Sequence, residues 1–504
     1  MVSCLLMDAD ERPLVWRLHR WQPELIQVAG DPLLAKASSL VKLRIQAGQE
    51  FLIRSDGHTI AEVNAFLASP RMRNRAAGTR DKYGRGIGVW LGYLDAVGRH
   101  WSEASPQDVG AFKFWRMTDR ANPRRVAGAS VLDNLTAISC FYEWAGPRTA
   151  VVNPVIRDVM RRGPRSDRPA GFEATPHVVR DRDVKWLDPS GYALWRDVGL
   201  RGLDRGGREI ERWRGRNGQR DCAFADGLYG TGLRLTEWAS VLLAELPDDH
   251  AGRGYFTCWL ASACAKNGRG RRYWMPRQVL ADVLGYVEAE RAASVRRARR
   301  AGRYEQLTEV VLLTRVLGRR RAELVKADGS VTVVSLDALD PAARARIMLR
   351  TSAGLEPAAL WLNEDGLPRE PHGWQHTFDT VNERLARAGL TGVRATAHML
   401  RHSFALRWFA VGRLLYEQRF AHLDAEELRD FRAQFGDTWY LLQTLLGHAD
   451  VATTMNVYLE PFRDLDIALL IEHAHGETMA SLIAEMFGAH PQVITAAAEV
   501  EAAR

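Results

Sequence analysis

Between residues 58 and 146 the apolar positions recur at helical spacing. Thr59 and Glu62 form the expected capping-box start before Val63, Phe66 and Leu67. Tyr83, Ile87, Trp90, Leu91 and Leu94 line one face of a second helix. After a break at Trp101 and Ser105-Pro106, Val109, Phe112 and Trp115 predict a third. Leu132, Leu135, Ile138, Phe141 and Tyr142 predict a fourth that opens near Ser130. The pattern is that of a small helical bundle, bounded at 56–148. Residues 1–55 mix short apolar runs with charges at no clear period, and are expected to be an N-terminal extension of unassigned role.

Residues 149–178 are rich in Pro, Gly and Arg without a periodic core, which predicts a linker. A second domain, 179–464, reads as mostly helical with a few strand-like runs. The clearest runs are Gly254–Leu260 and Arg272–Pro276, joined through Asn267-Gly268, a turn dipeptide that predicts a β-hairpin. In 465–504, Leu465, Ile467, Ala468, Leu470 and Ile471 form an apolar stripe on a C-terminal helix, and the stretch PQVITAAAEVEAAR reads as a frayed tail. The expected fold class is mainly α with a small β-sheet or hairpin. A chain of 504 residues predicts two or three domains.

Composition adds little until its distribution is considered. The hydrophobic fraction of 46% and charged fraction of 26% are those of an ordinary globular protein. No apolar run reaches the roughly 18 residues of a membrane span, and the N-terminus lacks the basic and apolar regions of a secretory signal. Cytoplasmic location is the expectation. Cys4, Cys140, Cys222, Cys258 and Cys264 have no C-x-x-C spacing, which disfavours a disulfide framework or zinc ribbon and predicts small buried hydrophobes. The net charge of +8 is mild, but the arginines cluster: Arg291 to Arg303, Arg319 to Arg321, and Arg161 to Arg168. Three such clusters point to a polyanion partner.

Four short segments carry candidate chemistry. The first is Thr231-Gly232-Leu233-Arg234-Leu235-Thr236-Glu237, in which a glycine-flanked arginine opens an apolar helix. The second is Lys266, directly before the Asn-Gly turn. The third is His398-Met399-Leu400-Arg401-His402-Ser403-Phe404-Ala405, where His398, Arg401 and His402 share one helix face. Two histidines at i, i+4 suggest zinc, but Met-Leu-Arg between them lacks the glutamate of HExxH and adds a repelling cation. The fourth runs from Leu445-Leu446-Gly447-His448-Ala449 through Thr453-Thr454 to Tyr458. Singly, each has an ordinary structural explanation.

In this order the four segments resemble the catalytic constellation of the tyrosine recombinase (phage integrase) family: Arg, Lys, His-x-x-Arg, His, Tyr. The resemblance spans roughly 58–465, with 58–146 similar to the family's helical core-binding domain. It implies that Arg234 and Arg401 clamp a scissile phosphate, a geometry that suits paired guanidiniums. It further implies Tyr458 as nucleophile, His398 as acid/base, Lys266 on a mobile hairpin as proton donor to the leaving 5′ oxygen, and His448 as a phosphate hydrogen bonder. Glu237 is a weaker candidate to orient the cations. The implied reaction is a transesterification through a 3′-phosphotyrosine, conserving bond energy, so that no cofactor, metal or ATP is called for. The absence of a GxxxxGK[ST] motif agrees with this.

The implied partner is double-stranded DNA, bound by a homotetramer on two sites that is monomeric or dimeric when free, with accessory recombination proteins where the element requires them. Candidate DNA-contacting residues are Arg80, Lys82, Arg124, Arg125, Arg161, Arg162, Arg296 and Arg297. The implied role is integration, excision or transposition of a mobile element. Residues 285–340 and 412–437 exceed what compact members need, and read as surface elaborations for DNA or protomer contacts. The C-terminal helix has two options, packing on a neighbouring protomer or docking in cis. Two other functions fit in part: a type IB topoisomerase, which uses a similar constellation on one duplex, and a catalytically silent DNA-binding protein. The G-H-A-x-x-x-T-T segment favours the recombinase over the first, and retention of Tyr458 disfavours the second.

Overall fold

The computed structural model describes residues 15–21, 48–157, 172–176, 185–211, 213–249, 254–308, 310–318, 320–405, 407–408 and 493–494. The chain divides into two units, Met1–Arg182 and Asp183–Arg504.

Unit 1 is a helical bundle with a two-stranded antiparallel sheet, β1 (Trp16–Arg20) and β2 (Glu50–Arg54). Its helices are α1 (Ala61–Leu67), α2 (Ala77–Ala96), α3 (Pro106–Met117) and α4 (Gly128–Thr149). Ile87, Trp90, Leu91, Leu94, Phe112, Leu135, Ile138 and Phe141 are buried in one core, as their spacing predicts. Trp16 and Leu52 belong to the same core, so the strands of the N-terminal extension are part of the bundle. Of the segment expected to be a linker, residues 149–157 and 172–176 are described; Val155 is buried in the bundle core and Phe172 packs against it.

The capping expectation changes. The N-cap of α1 is Ile60, without a side-chain cap, rather than Thr59. Val63, Phe66 and Leu67 of this helix are buried. The reciprocal capping box sits instead on α3, where Ser105 and Asp108 satisfy each other's backbone amides.

Unit 2 opens with β3 (Trp186–Leu187) and α5 (Pro189–Arg196). Its central helix is α6 (Gly218–Thr231), buried on every side from Cys222 to Thr231. Around it an aromatic core gathers, including Phe224 stacked 3.5 Å from Trp374, with Trp238, Trp361 and Tyr286 adjoining. Then follow α7 (Leu235–Ala239), the hairpin β4 (Tyr255–Leu260) and β5 (Arg271–Pro276), α8 (Arg277–Tyr286) and α9 (Ala292–Arg300). The predicted hairpin is present, but its connection, residues 261–270, is longer than a two-residue turn and winds through two short 3₁₀ segments.

Residues 311–357 build a five-stranded sheet: β6 (Val311–Leu317), β7 (Arg321–Val325), β8 (Val331–Ser335), β9 (Ile347–Thr351) and β10 (Gly354–Pro357), in the order β10-β9-β6-β7-β8. Its inner face buries Leu313, Ala322, Leu324 and Ile347 against Leu242. The arginines of this region are not simply a surface patch. Arg291 is buried and donates to the carbonyls of Pro357, Ala359 and Leu360. Arg299 donates to Leu355 O at 2.7 Å. Long side chains here satisfy carbonyls that the irregular chain leaves unpaired.

After α10 (Pro371–Arg387), residues 397–405 form a further helix, with the Thr396 hydroxyl accepting from Met399 N. Val493–Ile494 form β11, parallel to β3, and Asp188 N donates to Ile494 O. This part of the expected frayed tail is therefore a paired strand. Residues 412–437 and the predicted helix at 465–487 lie outside the described residues. No helix among the described residues is long and apolar enough to cross a membrane. Cys140, Cys222, Cys258 and Cys264 are buried free thiols, as their scattered spacing predicts.

Candidate active site

The site begins where α6 ends. Gly232 closes the helix with φ +65°, a left-handed conformation that glycine adopts without strain. A Cβ built there would lie 2.4 Å from the Phe404 ring. The Gly232 carbonyl accepts a short hydrogen bond from Nη1 of Arg401. One residue thus reverses the chain, seats Phe404 and holds Arg401. Gly232→Ala is expected to destabilise unit 2 by about 2–4 kcal/mol, from left-handed strain and overpacking, as measured by urea unfolding.

The reversed chain places Arg234 at the N-cap of α7 and Glu237 one turn on. Glu237 is fully buried, and its carboxylate accepts from the Arg234 backbone amide at 2.9 Å and from Arg234 Nη1 at 2.9 Å. It also accepts from Arg271 Nη2 at 2.8 Å and, at 3.5 Å, from the backbone amide of Lys266. Burial alone raises the Glu237 pKa, but the hydrogen bonds and charge of Arg271 and Arg234 outweigh it and hold the group at about 2.

Arg401 lies on the 397–405 helix with its side chain buried. Burial, and then the repulsion of Arg234 and Arg271, pushes it down to about 9, partly offset by Glu237. It therefore keeps its charge at neutral pH. His398, one turn earlier, is exposed, with its ring 6.2 Å from that of His402. Lys266 is exposed at the start of the second 3₁₀ segment of the hairpin connection. The structure thus brings together Arg234, Glu237, Arg401 and the Lys266 backbone. His448 and Tyr458 lie outside the described residues.

Arg271 is the residue that the motif reading missed. It stands on β5 at i, i+2 and i+4 with the buried Tyr273 and Met275, so strand alternation turns it inward. That period is visible in the sequence once β5 is extended by one residue.

The peripheral candidates divide. Arg80 places Nε 3.0 Å from both oxygens of buried Glu50; burying that carboxylate requires a paired cation, so Arg80 is committed within unit 1. Lys82 is exposed and pairs with exposed Asp133 at 3.1 Å. Arg124, Arg125 and Arg296 are exposed, and Arg297 is exposed while donating to Glu364 O at 3.0 Å. Arg161 and Arg162 lie outside the described residues.

Three recombination proteins resemble this chain. One is the XerH site-specific recombinase bound to palindromic difH substrate in a post-cleavage complex, at 12% identity over 88% of this chain and 90% of that one, with a TM-score of 0.41. Another is the Tn1549 transposon integrase in complex with transposon right end DNA, at 12% identity over 82% and 100%, with a TM-score of 0.41. The XerA recombinase matches at 13% identity over 74% and 97%, with a TM-score of 0.24. No family model and no curated protein matches.

Chemically, two guanidiniums, Arg234 and Arg271, and the Lys266 backbone amide share one carboxylate among the described residues, with Arg401 held nearby on the Gly232 carbonyl. The surplus of positive charge is preorganised by hydrogen bonds to buried groups, a setting that stabilises an anion whose charge grows during reaction.

Proposed function

We propose that this chain is a tyrosine recombinase, a site-specific enzyme that cuts and rejoins DNA strands through a 3′-phosphotyrosine. The observation that carries this reading is the Glu237 hub: a buried carboxylate that fixes Arg234, Arg271 and the Lys266 backbone, with Arg401 close by. Its supports are the order of the four motifs and the chemical fit of paired guanidiniums to a phosphodiester.

In this reading Arg234 and Arg401 hold the non-bridging oxygens of the scissile phosphate, and His448 adds a hydrogen bond. The Tyr458 oxygen attacks phosphorus while its proton passes to His398. The P–O5′ bond breaks, and its electron pair goes to O5′, which takes a proton from Lys266. A 5′-hydroxyl of the partner duplex reverses the step, so neither metal nor ATP enters. Glu237 and Arg271 act by positioning. Lys82, Arg124, Arg125, Arg296 and Arg297 are the exposed cations proposed to meet the DNA backbone. A homotetramer on two duplex sites, with accessory proteins where the element requires them, completes the proposal.

The test uses a duplex selected by the protein from a random-sequence pool, nicked near the cleavage position so that the released strand diffuses away. A covalent protein–DNA band on a denaturing gel, formed in chelator without ATP, is expected. A duplex that binds but yields no band overturns the reading.

A further inference from the structure

The Lys266 connection is gripped from two sides. On one side stands Glu237. On the other stands the inserted sheet, through a run of residues, 336–339, that no motif singles out. Trp259, near the end of β4, donates its indole N–H to Asp337 Oδ1 at 3.0 Å. Cys264, two residues before Lys266, reaches Leu339 O at 3.5 Å. Asp337 is itself fixed, because Arg320 Nε donates to the same oxygen at 3.0 Å.

Arg320 is held in turn. It takes a left-handed φ of +58°, a strained choice for arginine, and donates Nη2 to Glu245 Oε1 at 2.6 Å. Glu245 also receives both terminal nitrogens of Arg344, at 2.6 and 3.1 Å, and both side chains are almost fully buried. Arg344 closes the loop by donating to Leu336 O and Leu339 O at 2.7 and 3.0 Å. Residues 336–339 are thereby locked to the segment that follows α7, and the hairpin is hung from them. The Glu245–Arg344 pair is buried and fully partnered, so it sets the geometry of 336–339 closely, while the Trp259–Asp337 bond that carries it to the hairpin lies at the exposed edge.

We propose that Asp337 is a positioning residue for Lys266: the inserted sheet holds the lysine's turn in register with the arginine pair. This rests on the reading of Lys266 as the donor to the leaving oxygen. A misplacement on the order of 1 Å costs about a hundredfold in reactions of this kind. Asp337→Ala, which spares Glu237, is expected to slow strand cleavage by about tenfold.

The experiment separates positioning from folding by changing the leaving group. A duplex with sulfur in place of O5′ at the cleavage position releases a thiolate, which needs no proton because a thiol has a pKa near 8.5. Lys266→Ala should be slow on oxygen DNA, by about 10²–10⁴-fold, and restored on sulfur DNA. Asp337→Ala should follow it, about tenfold slow on oxygen and within about twofold of wild type on sulfur. Trp259→Phe, which removes the N–H donor while keeping an aromatic ring at this exposed position, should show the same pattern and serves if Asp337→Ala does not fold. Equal slowing of the Asp337 and Trp259 variants on both substrates, with Lys266→Ala restored, overturns the positioning role. So does normal cleavage of oxygen DNA by these variants. If Lys266→Ala itself is not restored, Lys266 is not the proton donor, and the inference falls with that assignment.

Discussion

Replacing Glu237 by alanine is expected to destabilise unit 2 by about 3 kcal/mol and to slow strand cleavage at least a hundredfold, the loss associated with a misplaced site. The side chain is wholly buried and faces two guanidiniums that are themselves 17% and 14% exposed. Removing one partner of a buried pair leaves uncompensated charge, and the residual exposure of the arginines keeps the penalty at the low end of the usual range. The sign with pH follows from the folded value of about 2 against an ordinary 4.5. The folded state binds fewer protons, so the stability that Glu237 lends is complete above pH 4.5 and drains away as pH falls toward 2. The difference corresponds to roughly 3 kcal/mol. Urea unfolding at pH 7 and pH 3 reads both effects: wild type should weaken on acidification, and Glu237→Gln should weaken less. A Glu237→Gln protein that loses as much as wild type between these values would show that other carboxylates govern the acid limb.

Tyr458→Phe is expected to reduce the covalent DNA adduct below detection, a loss of at least about 10⁴-fold. The substitution removes one oxygen and nothing else, and a phenyl ring has no lone pair to offer phosphorus. DNA affinity should stay within about twofold in a gel-shift titration, because in the proposed reading binding rests on phosphate contacts made by arginine and lysine. A surviving band would name another nucleophile. Loss of both the band and binding would mean that the tyrosine supports the fold or the interface, and peptide mapping of the wild-type adduct would then be needed to find the attacking residue.

The parts of the fold that the sequence reveals are those governed by local periodicity. The helices of unit 1 follow from apolar residues at i, i+3 and i+4, and the β4–β5 hairpin from two aromatic runs about Asn267-Gly268. Non-local pairing is where legibility fails. Trp16–Arg20 and Glu50–Arg54 are short, charged and far apart in the chain, so nothing local announces that they pair. Of the strands β6 to β10, β8 is legible as the run Val331-Thr332-Val333-Val334, while the other four are interrupted by arginine, glycine or proline. At the site, the motifs single out Arg234, Arg401 and Lys266, and Glu237 bonds Arg234 and the Lys266 backbone, with Arg271 as a further partner. What a charge run cannot disclose is which way each side chain turns. Arg291, Arg320 and Arg344 resemble surface cations in sequence, yet the folded chain spends them on carbonyls and on Glu245. Arg80 is used in the same way by Glu50.

The pairing of β3 with β11 bears on how the molecule is made. The two strands lie about 300 residues apart, and closing a loop of that length costs roughly 5 kcal/mol. Two residues of parallel ladder do not offset that cost, so β11 docks only after the rest of unit 2 has drawn the ends together. Val493–Ile494 are also the last of the described strands to leave the ribosome. The edge they cover adjoins the Arg401 helix, because Leu187 N donates to the Ser403 hydroxyl at 2.8 Å. Until Val493–Ile494 dock, this flank of the site is therefore unfinished.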